Sequence, residues 1–226
     1  MKIVLLNAGL GNRMSSAGPK CLLELTGGPD PVTILDRQLG ILRKLGPVFV
    51  VVGHQKEKIM NGRPDLAFVE NAEYAVTNTA PSLLLGLEAA GESEGVLWVN
   101  GDVVFDPRVA EAVAGSPFSC VAVHRRACGD EEVKYRTDGS GRVVSLSKTT
   151  VMSEGEALGV NLVLRADIGR LKEGLRLCNP ADYFERGVEY AIERGMRVDA
   201  CDVTEFPCIE IDFPEDLASA RETFRG

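Results

Sequence analysis

Histidine is scarce in this 226-residue chain, with only His54 and His124 present, and neither has an evident acid/base partner in the sequence. No pair of its six cysteines (21, 120, 128, 178, 201 and 208) has C-x-x-C spacing. A zinc site and a disulfide scaffold are therefore not expected, and reduced thiols of a cytoplasmic protein are. No apolar run approaches the roughly 18 residues of a membrane span, and the apolar stretch before the first glycine is too short for a secretory leader. A soluble protein follows as the expectation. Positive charge is also in deficit: net charge is −8 and the pI about 5.0, which argues against a general nucleic-acid or anionic-membrane surface. Repeats, low-complexity tracts and linkers are missing, so residues 1–226 read as one domain. Neither G-x-G-x-x-G nor G-x-x-x-x-G-K-[S/T] occurs, so the dinucleotide fingerprint and the Walker loop are both excluded.

What is present is an ordinary globular composition, 45% hydrophobic and 26% charged, in a chain long enough to bury about 70% of its unfolded surface. Charge is unevenly placed. Residues 1–64 hold nine Lys/Arg and four acids, a net of +5 that leaves −13 for the rest. Within that part lies LNAGLGNRMSSAGPK (Leu6–Lys20), directly behind a strand-like run. Gly9, Gly11 and Gly18 let a backbone bend tightly and present its N–H groups, while Arg13 and Lys20 can add charge-assisted bonds to phosphate oxygens.

The pattern of apolar residues alternates strand and helix through the first hundred positions. Lys2–Asn7, Val48–Val52, Leu66–Val69 and Gly95–Asn100 read as strands, and Thr33–Leu45, His54–Met60 and Ser82–Ala90 as helices. This alternation predicts right-handed crossovers and a parallel sheet covered on both faces. The second part is richer in strands: Phe118–His124, Val133–Thr137, Arg142–Ser147, Leu158–Leu164, Met196–Val203 and Cys208–Ile211. TDGSGR (Thr137–Arg142) is a hairpin turn, so a hairpin arm is expected at about 125–150. Pro180–Arg194 and Pro214–Phe224 read as helices. The expected fold class is α/β, with three α/β/α layers, a mostly parallel mixed sheet and a β-hairpin insertion. Trp98, in an apolar strand, and Tyr183, Phe184 and Tyr190, at helical spacing, read as core.

The string N-A-G-x-G-x-R-M followed by P-K-x-L-L-E-L resembles the signature of the nucleotidyltransferases that join a nucleoside triphosphate to a phosphorylated small molecule, with Asn7 in place of that signature's first alanine. TNTAPSLLLGLEAA (Thr77–Ala90) is similar to a segment of their phosphocholine cytidylyltransferase branch. VNGDVVFDP, EEVKYRTDGSGRVVSLSK, EALGVNLV and CIEIDFPEDLASAR resemble further family segments, so that the likeness covers essentially the whole chain. It implies a Rossmann-like nucleotidyltransferase fold and a Mg²⁺-dependent transfer of CMP from CTP to a small phosphomonoester or phosphonate, with release of pyrophosphate. A sugar-1-phosphate nucleotidyltransferase using another triphosphate is a rival. A non-catalytic nucleotide-sensing module is a second, and a homodimer stays open.

The chemistry requires charge neutralisation and in-line alignment rather than a covalent nucleophile. The expected nucleotide cradle is Asn7, Ala8, Gly9, Leu10, Gly11 and Asn12, with Arg13, by resemblance, on the β/γ phosphates. Lys20 would bridge the α-phosphate and the incoming acceptor oxygen. Asp102 follows an apolar strand, where ligands of open α/β sheets bind. Glu210 and Asp212, two apart, share one face, so the three form the expected Mg²⁺ site. Gly101 accompanies Asp102 in the nucleotide site. Asn78, Thr79 and Ser82 either read the base or cap a helix beginning near Pro81. Lys134, Lys148, Gly159 and Asn161 are the expected acceptor-side residues. Asp106, Glu215 and Asp216 read as turn and helix N-terminal acids.

Overall fold

The computed structural model describes residues 1–11 and 18–225. The strands are β1 (Lys2–Asn7), β2 (Val48–Val52), β3 (Ala67–Glu70), β4 (Val96–Asn100), β5 (Val103–Phe105), β6 (Cys120–His124), β7 (Lys134–Thr137), β8 (Val143–Ser147), β9 (Gly155–Val163), β10 (Asp199–Asp202) and β11 (Cys208–Glu210). The helices are α1 (Ile34–Leu42), α2 (Lys56–Met60), α3 (Thr79–Ala90), α4 (Pro107–Ala114), α5 (Ile168–Arg176), α6 (Phe184–Glu193) and α7 (Pro214–Thr223), with a short 3₁₀ turn at Lys20–Leu22.

The main sheet runs β10-β6-β9-β4-β1-β2-β3, and the β7–β8 hairpin is attached through β9. β1 lies between β2 and β4 and is parallel to both, in registers that place Asn7 beside Val52 and Leu6 beside Asn100. β9 is antiparallel to both its neighbours, β4 and β6, which makes the sheet mixed. The sheet separates two cores. Ile3, Leu5, Leu97 and Val99 face one, with α1 and α4; Val4, Leu6 and Trp98 face the other, with α3, α5 and α6. This alternation inside near-continuous apolar strands is what burial on both faces demands. A third, smaller cluster of Leu25, Ile34, Val104, Ile211 and Leu217 fastens the β5–β11 ribbon and α7 beside the first core.

Several elements differ from the sequence expectation, four of them as follows. α3 begins at Thr79, three residues earlier than read, because Asn78 caps it and Pro81 falls in the first turn, where no intrahelical N–H is required. β5 and α4 were not expected. Asp106 and Pro107 nevertheless form an N-cap and N1 pair, and Val109, Ala110 and Val113 give α4 its buried stripe. α5 was likewise unassigned; Ile168, Leu171 and Leu175 carry its buried face. Because β2 follows β1 on one side and β4 lies on the other, a crevice opens at the carboxyl ends of β1 and β4, the place where open α/β sheets take ligands.

Candidate active site

That crevice is an open cleft of about 710 Å³, walled by the Gly9–Gly11 segment, Lys20, Asn78, Asp102, Lys148, Glu185, Glu210 and Asp212 among others. Its floor is a carboxylate cluster. Asp102 comes from the turn after β4, Glu210 from the end of β11 and Asp212 from the residue pair beyond it. One ligand oxygen from each lies within 4.8 Å of the others. The alternation in Glu210-Ile211-Asp212 drives this arrangement: Ile211 is fully buried in the third cluster, which turns both carboxylates the other way. Asp216 accepts from the backbone N–H groups of Asp212 and Phe213, at 3.0 and 2.7 Å, and so steadies the turn that carries Asp212.

Lys20 reaches into this cluster from the 3₁₀ turn. Its Nζ donates to Asp102 Oδ2 at 3.1 Å and to Asp212 Oδ1 at 2.7 Å. Burial works against the Lys20 charge, but the two carboxylates outweigh it and hold the ammonium above the ordinary lysine value. Burial raises Asp102, and Lys20 only partly offsets that. Glu210 is a solvent-exposed residue of the cleft lining. Enclosure by protein, followed by the charges of Asp102 and Asp212, pushes its carboxyl well above the usual range. Three mutually repelling hard oxygen donors around one ammonium suit a divalent cation such as Mg²⁺, which takes one or a few carboxylates and completes its shell with phosphate and water.

The cleft is also lined by Tyr183, Glu185, Lys148, Glu131, Glu132, Glu156 and Arg126. Lys148 lies 5.4 Å from the centre of the Tyr183 ring and 3.3 Å from Glu131. Arg126 pairs with the buried Glu156 at 2.5 Å. Burial lifts the Glu185 carboxyl to about 7.

The structure thus gathers Asn7, Gly9, Leu10, Gly11, Lys20, Asn78, Thr79, Gly101, Asp102, Lys148, Gly159, Glu210 and Asp212 at one cleft. Asn12 and Arg13 lie outside the described residues. Ala8 is buried beside the cleft, not on its wall. Ser82 is also buried and accepts from Asn71 Nδ2 at 3.0 Å, so it serves the packing of α3. Asn161 is 1% exposed in the middle of β9, opposite Trp98 and Val121, and does not reach the cleft. Lys134 turns its Nζ to the Lys148 carbonyl at 2.8 Å; it supports the Lys148 turn and does not face the cleft. Asn78 Oδ1 accepts from the Thr79 N–H at 2.9 Å, the capping alternative, while the residue still lines the cleft. Thr79 Oγ1 accepts from the Phe184 N–H at 2.9 Å and ties α3 to α6.

Trp98 and Phe184 are core, in edge-to-face contact with ring centres 5.7 Å apart. Tyr183 is not core: it is the residue preceding α6, 44% exposed, on the cleft wall. The i, i+7 spacing to Tyr190 suggested one helical face, but the helix begins only after Tyr183. Glu185, Asn100 and Arg126 were missed altogether, since nothing in their local pattern separates them from ordinary surface polar residues.

The family model for the MobA-like NTP transferase domain matches residues 3–161. The bifunctional protein GlmU of Bordetella parapertussis is 32% identical over 77% of this chain and 40% of its own length. The CMP-5'-(3-aminopropyl)phosphonate synthase of Streptomyces rubellomurinus is 35% identical over 62% of this chain and 23% of its own length. The chain therefore spans well under half the length of these curated relatives. The solved inositol-1-phosphate CTP transferase from T. maritima shares the fold, with a TM-score of 0.78 and 22% identity over 99% of this chain and 96% of that one.

Proposed function

The chain belongs to the MobA-like NTP transferase domain family, and from that premise we propose that it transfers a nucleotidyl group, CMP from CTP in the favoured case, onto an oxygen of a small phosphomonoester or phosphonate. The observation that carries this reading is the Lys20 ammonium set between Asp102 and Asp212, with Glu210 completing the carboxylate cluster, beside the Gly9–Gly11 segment. The preference for CTP is supported by what the phosphonate synthase and the inositol-1-phosphate CTP transferase are named for.

In the reaction an acceptor oxygen forms a bond to the α-phosphorus, and the bond from that phosphorus to the β-phosphate oxygen breaks, releasing pyrophosphate. A fully ionised acceptor brings its own lone pair, so no protein base is required. The obstacle is electrostatic, because both partners are anions. Lys20 supplies a cation on a largely buried side chain. A Lys–phosphate contact at 4 Å is worth about 4 kcal/mol at an effective dielectric of 20, against about 1 in water. Gly9 and Gly11 leave the backbone amides of the first loop unobstructed for phosphate oxygens. Mg²⁺ would be held by Asp102, Glu210 and Asp212, and when bound it neutralises phosphate charge there. Lys148 and Tyr183, which line the same cleft, would take the acceptor.

The test is to screen the four nucleoside triphosphates against pooled phosphomonoesters, phosphonates and sugar 1-phosphates with Mg²⁺, and to record pyrophosphate. Release with CTP and a phosphomonoester or phosphonate is expected. Release only with sugar 1-phosphates moves the protein to the sugar-activating class. Tight nucleotide binding with no release under any pairing leaves a sensing module.

A further inference from the structure

Three accessible side chains of the cleft meet around one ammonium. Lys148 Nζ lies 3.3 Å from a Glu131 oxygen and 5.4 Å from the centre of the Tyr183 ring, so a carboxylate and an aromatic face share it. All three residues line the cleft and all are open to solvent: the Lys148 and Glu131 side chains are 32% and 62% exposed, and Tyr183 is 44% exposed. The Lys148 backbone is held by Lys134, whose Nζ donates to its carbonyl at 2.8 Å, whereas the four-carbon stem carrying the ammonium is flexible. The chain thus seats an alkylammonium of its own between Glu131 and Tyr183.

The charge of the whole cleft favours a ligand of the same kind. Among the described residues eight acidic side chains line it, against Lys20, Arg126 and Lys148. Protonation of Asp102, Glu185 and Glu210, the three whose carboxyls are raised by burial, still leaves the acids in excess. A divalent ion on the carboxylate cluster would offset part of this, and the triphosphate would add negative charge again. A small phosphate without a counter-charge enters such a cleft against repulsion, whereas one that carries its own ammonium meets far less of it. We infer that Glu131 and Tyr183 form a specificity subsite for an alkylammonium group on the acceptor, so that the proposed reaction takes a zwitterionic phosphomonoester or phosphonate in preference to a sugar or polyol phosphate. This rests on the proposed transfer and names its substrate class. The acceptor's ammonium replaces that of Lys148 between the carboxylate and the ring, and the displaced Lys148 pairs with the acceptor's phosphate. Glu131 contributes the ion pair, and Tyr183 a ring face that attracts a primary or a quaternary ammonium alike.

The experiment measures kcat/KM with CTP and Mg²⁺ for two matched pairs of acceptors: 2-aminoethyl phosphate against propyl phosphate, and its N-trimethyl form against 3,3-dimethylbutyl phosphate. Within each pair only the ammonium is exchanged for carbon. Wild type should prefer the charged member of at least one pair by about 30-fold, the combined effect of one aromatic and one ion-pair contact. Glu131→Gln and Tyr183→Leu should each cut that preference by about fivefold, and Tyr183→Phe, which keeps the ring face, should retain it. No preference in wild type, or one that survives both Glu131→Gln and Tyr183→Leu, would overturn the subsite. Choline, an ammonium without a phosphate, separates the subsite from the activity. Lys148→Met removes the internal competitor, so it should bind choline about tenfold more tightly than wild type by calorimetry, and Glu131→Gln added to it should reverse the gain. Equal choline affinity in wild type and Lys148→Met would overturn the displacement. Choline binding of the expected pattern, without turnover by wild type on any acceptor, would sink the transferase reading and keep the subsite. Turnover with neither a preference nor choline binding would sink the subsite alone, and absence of both turnover and choline binding would sink both.

Discussion

Replacing Lys20 by Ala isolates the electrostatics of the site. Lys20 lies 3.1 Å from an Asp102 oxygen and 2.7 Å from an Asp212 oxygen, with its side chain only 13% exposed. At an effective dielectric of 20 each contact is worth about 5 to 6 kcal/mol before solvation. Desolvation of the ammonium consumes much of that. Removing one partner from such a buried arrangement commonly costs about 3 to 5 kcal/mol, chiefly because the remaining charges are left uncompensated. Here three carboxylates within 4.8 Å would remain. The loss is smaller where they can take up protons. Asp102 and Glu210 already sit above their ordinary values, by burial and, for Glu210, by its acidic neighbours. Without Lys20 they rise further. An acid whose folded-state pKa exceeds its unfolded value costs nothing below the unfolded value, and lowers stability as pH rises through the folded one. The deficit of Lys20→Ala should therefore be small at pH 5 and reach about 3 kcal/mol at pH 8. That corresponds to a melting-temperature difference of roughly 6 to 12 °C for a chain of this size. Millimolar Mg²⁺ at pH 8 should restore most of it, since the ion replaces the lost cation. The assay is thermal or urea denaturation across pH, with and without MgCl₂. A deficit equal at pH 5 and pH 8 and untouched by Mg²⁺ would refute the reasoning. With substrates, the same variant should lose turnover far more than CTP affinity; equal losses in both would contradict a bridging role between the α-phosphate and the acceptor.

Asp102→Asn should abolish Mg²⁺-dependent pyrophosphate release, while the fold persists because Asn keeps the shape of the side chain; full activity in the pyrophosphate assay would remove Asp102 from the metal site. Glu185 is raised to about 7 by burial, so its ionisation opposes folding as pH climbs through that value. Glu185→Gln should accordingly raise the melting temperature at pH 8.5 and leave it unchanged at pH 5, and a constant offset across that range would contradict the assignment. Glu210→Gln should weaken Mg²⁺ binding, measured calorimetrically, and at the same time stabilise the metal-free protein at pH 8 by relieving repulsion from Asp102 and Asp212; loss of both stability and affinity would point to a structural role.

The strands of the main sheet, the glycine-rich loop behind β1 and the shared orientation of Glu210 and Asp212 are local matters, and the sequence by itself determined them. Runs such as Ile3–Leu6 and Val48–Val52 are buried whichever strands flank them, and a strand alternates its side chains regardless of its partners. Asn78 and Asp106 likewise announce helix starts by their own chemistry, and both read that way in the sequence, Asn78 as a cap and Asp106 as a turn or helix N-terminal acid, although the helix after Asp106 was not expected. Tertiary structure alone decided which residues meet. Lys20 pairs with Asp102 and Asp212, 82 and 192 positions away. Ser82, Asn161 and Lys134 carry suitable groups, yet packing directs them to Asn71, into the sheet interior and to the Lys148 carbonyl. Tyr183 lies on the cleft wall rather than in the core because the helix expected from Pro180 begins only at Phe184. A pattern of period 2 or 3.6 specifies the face a side chain takes on its own element. Which distant group completes its hydrogen bonds is set by how the elements stack, and no periodicity records that.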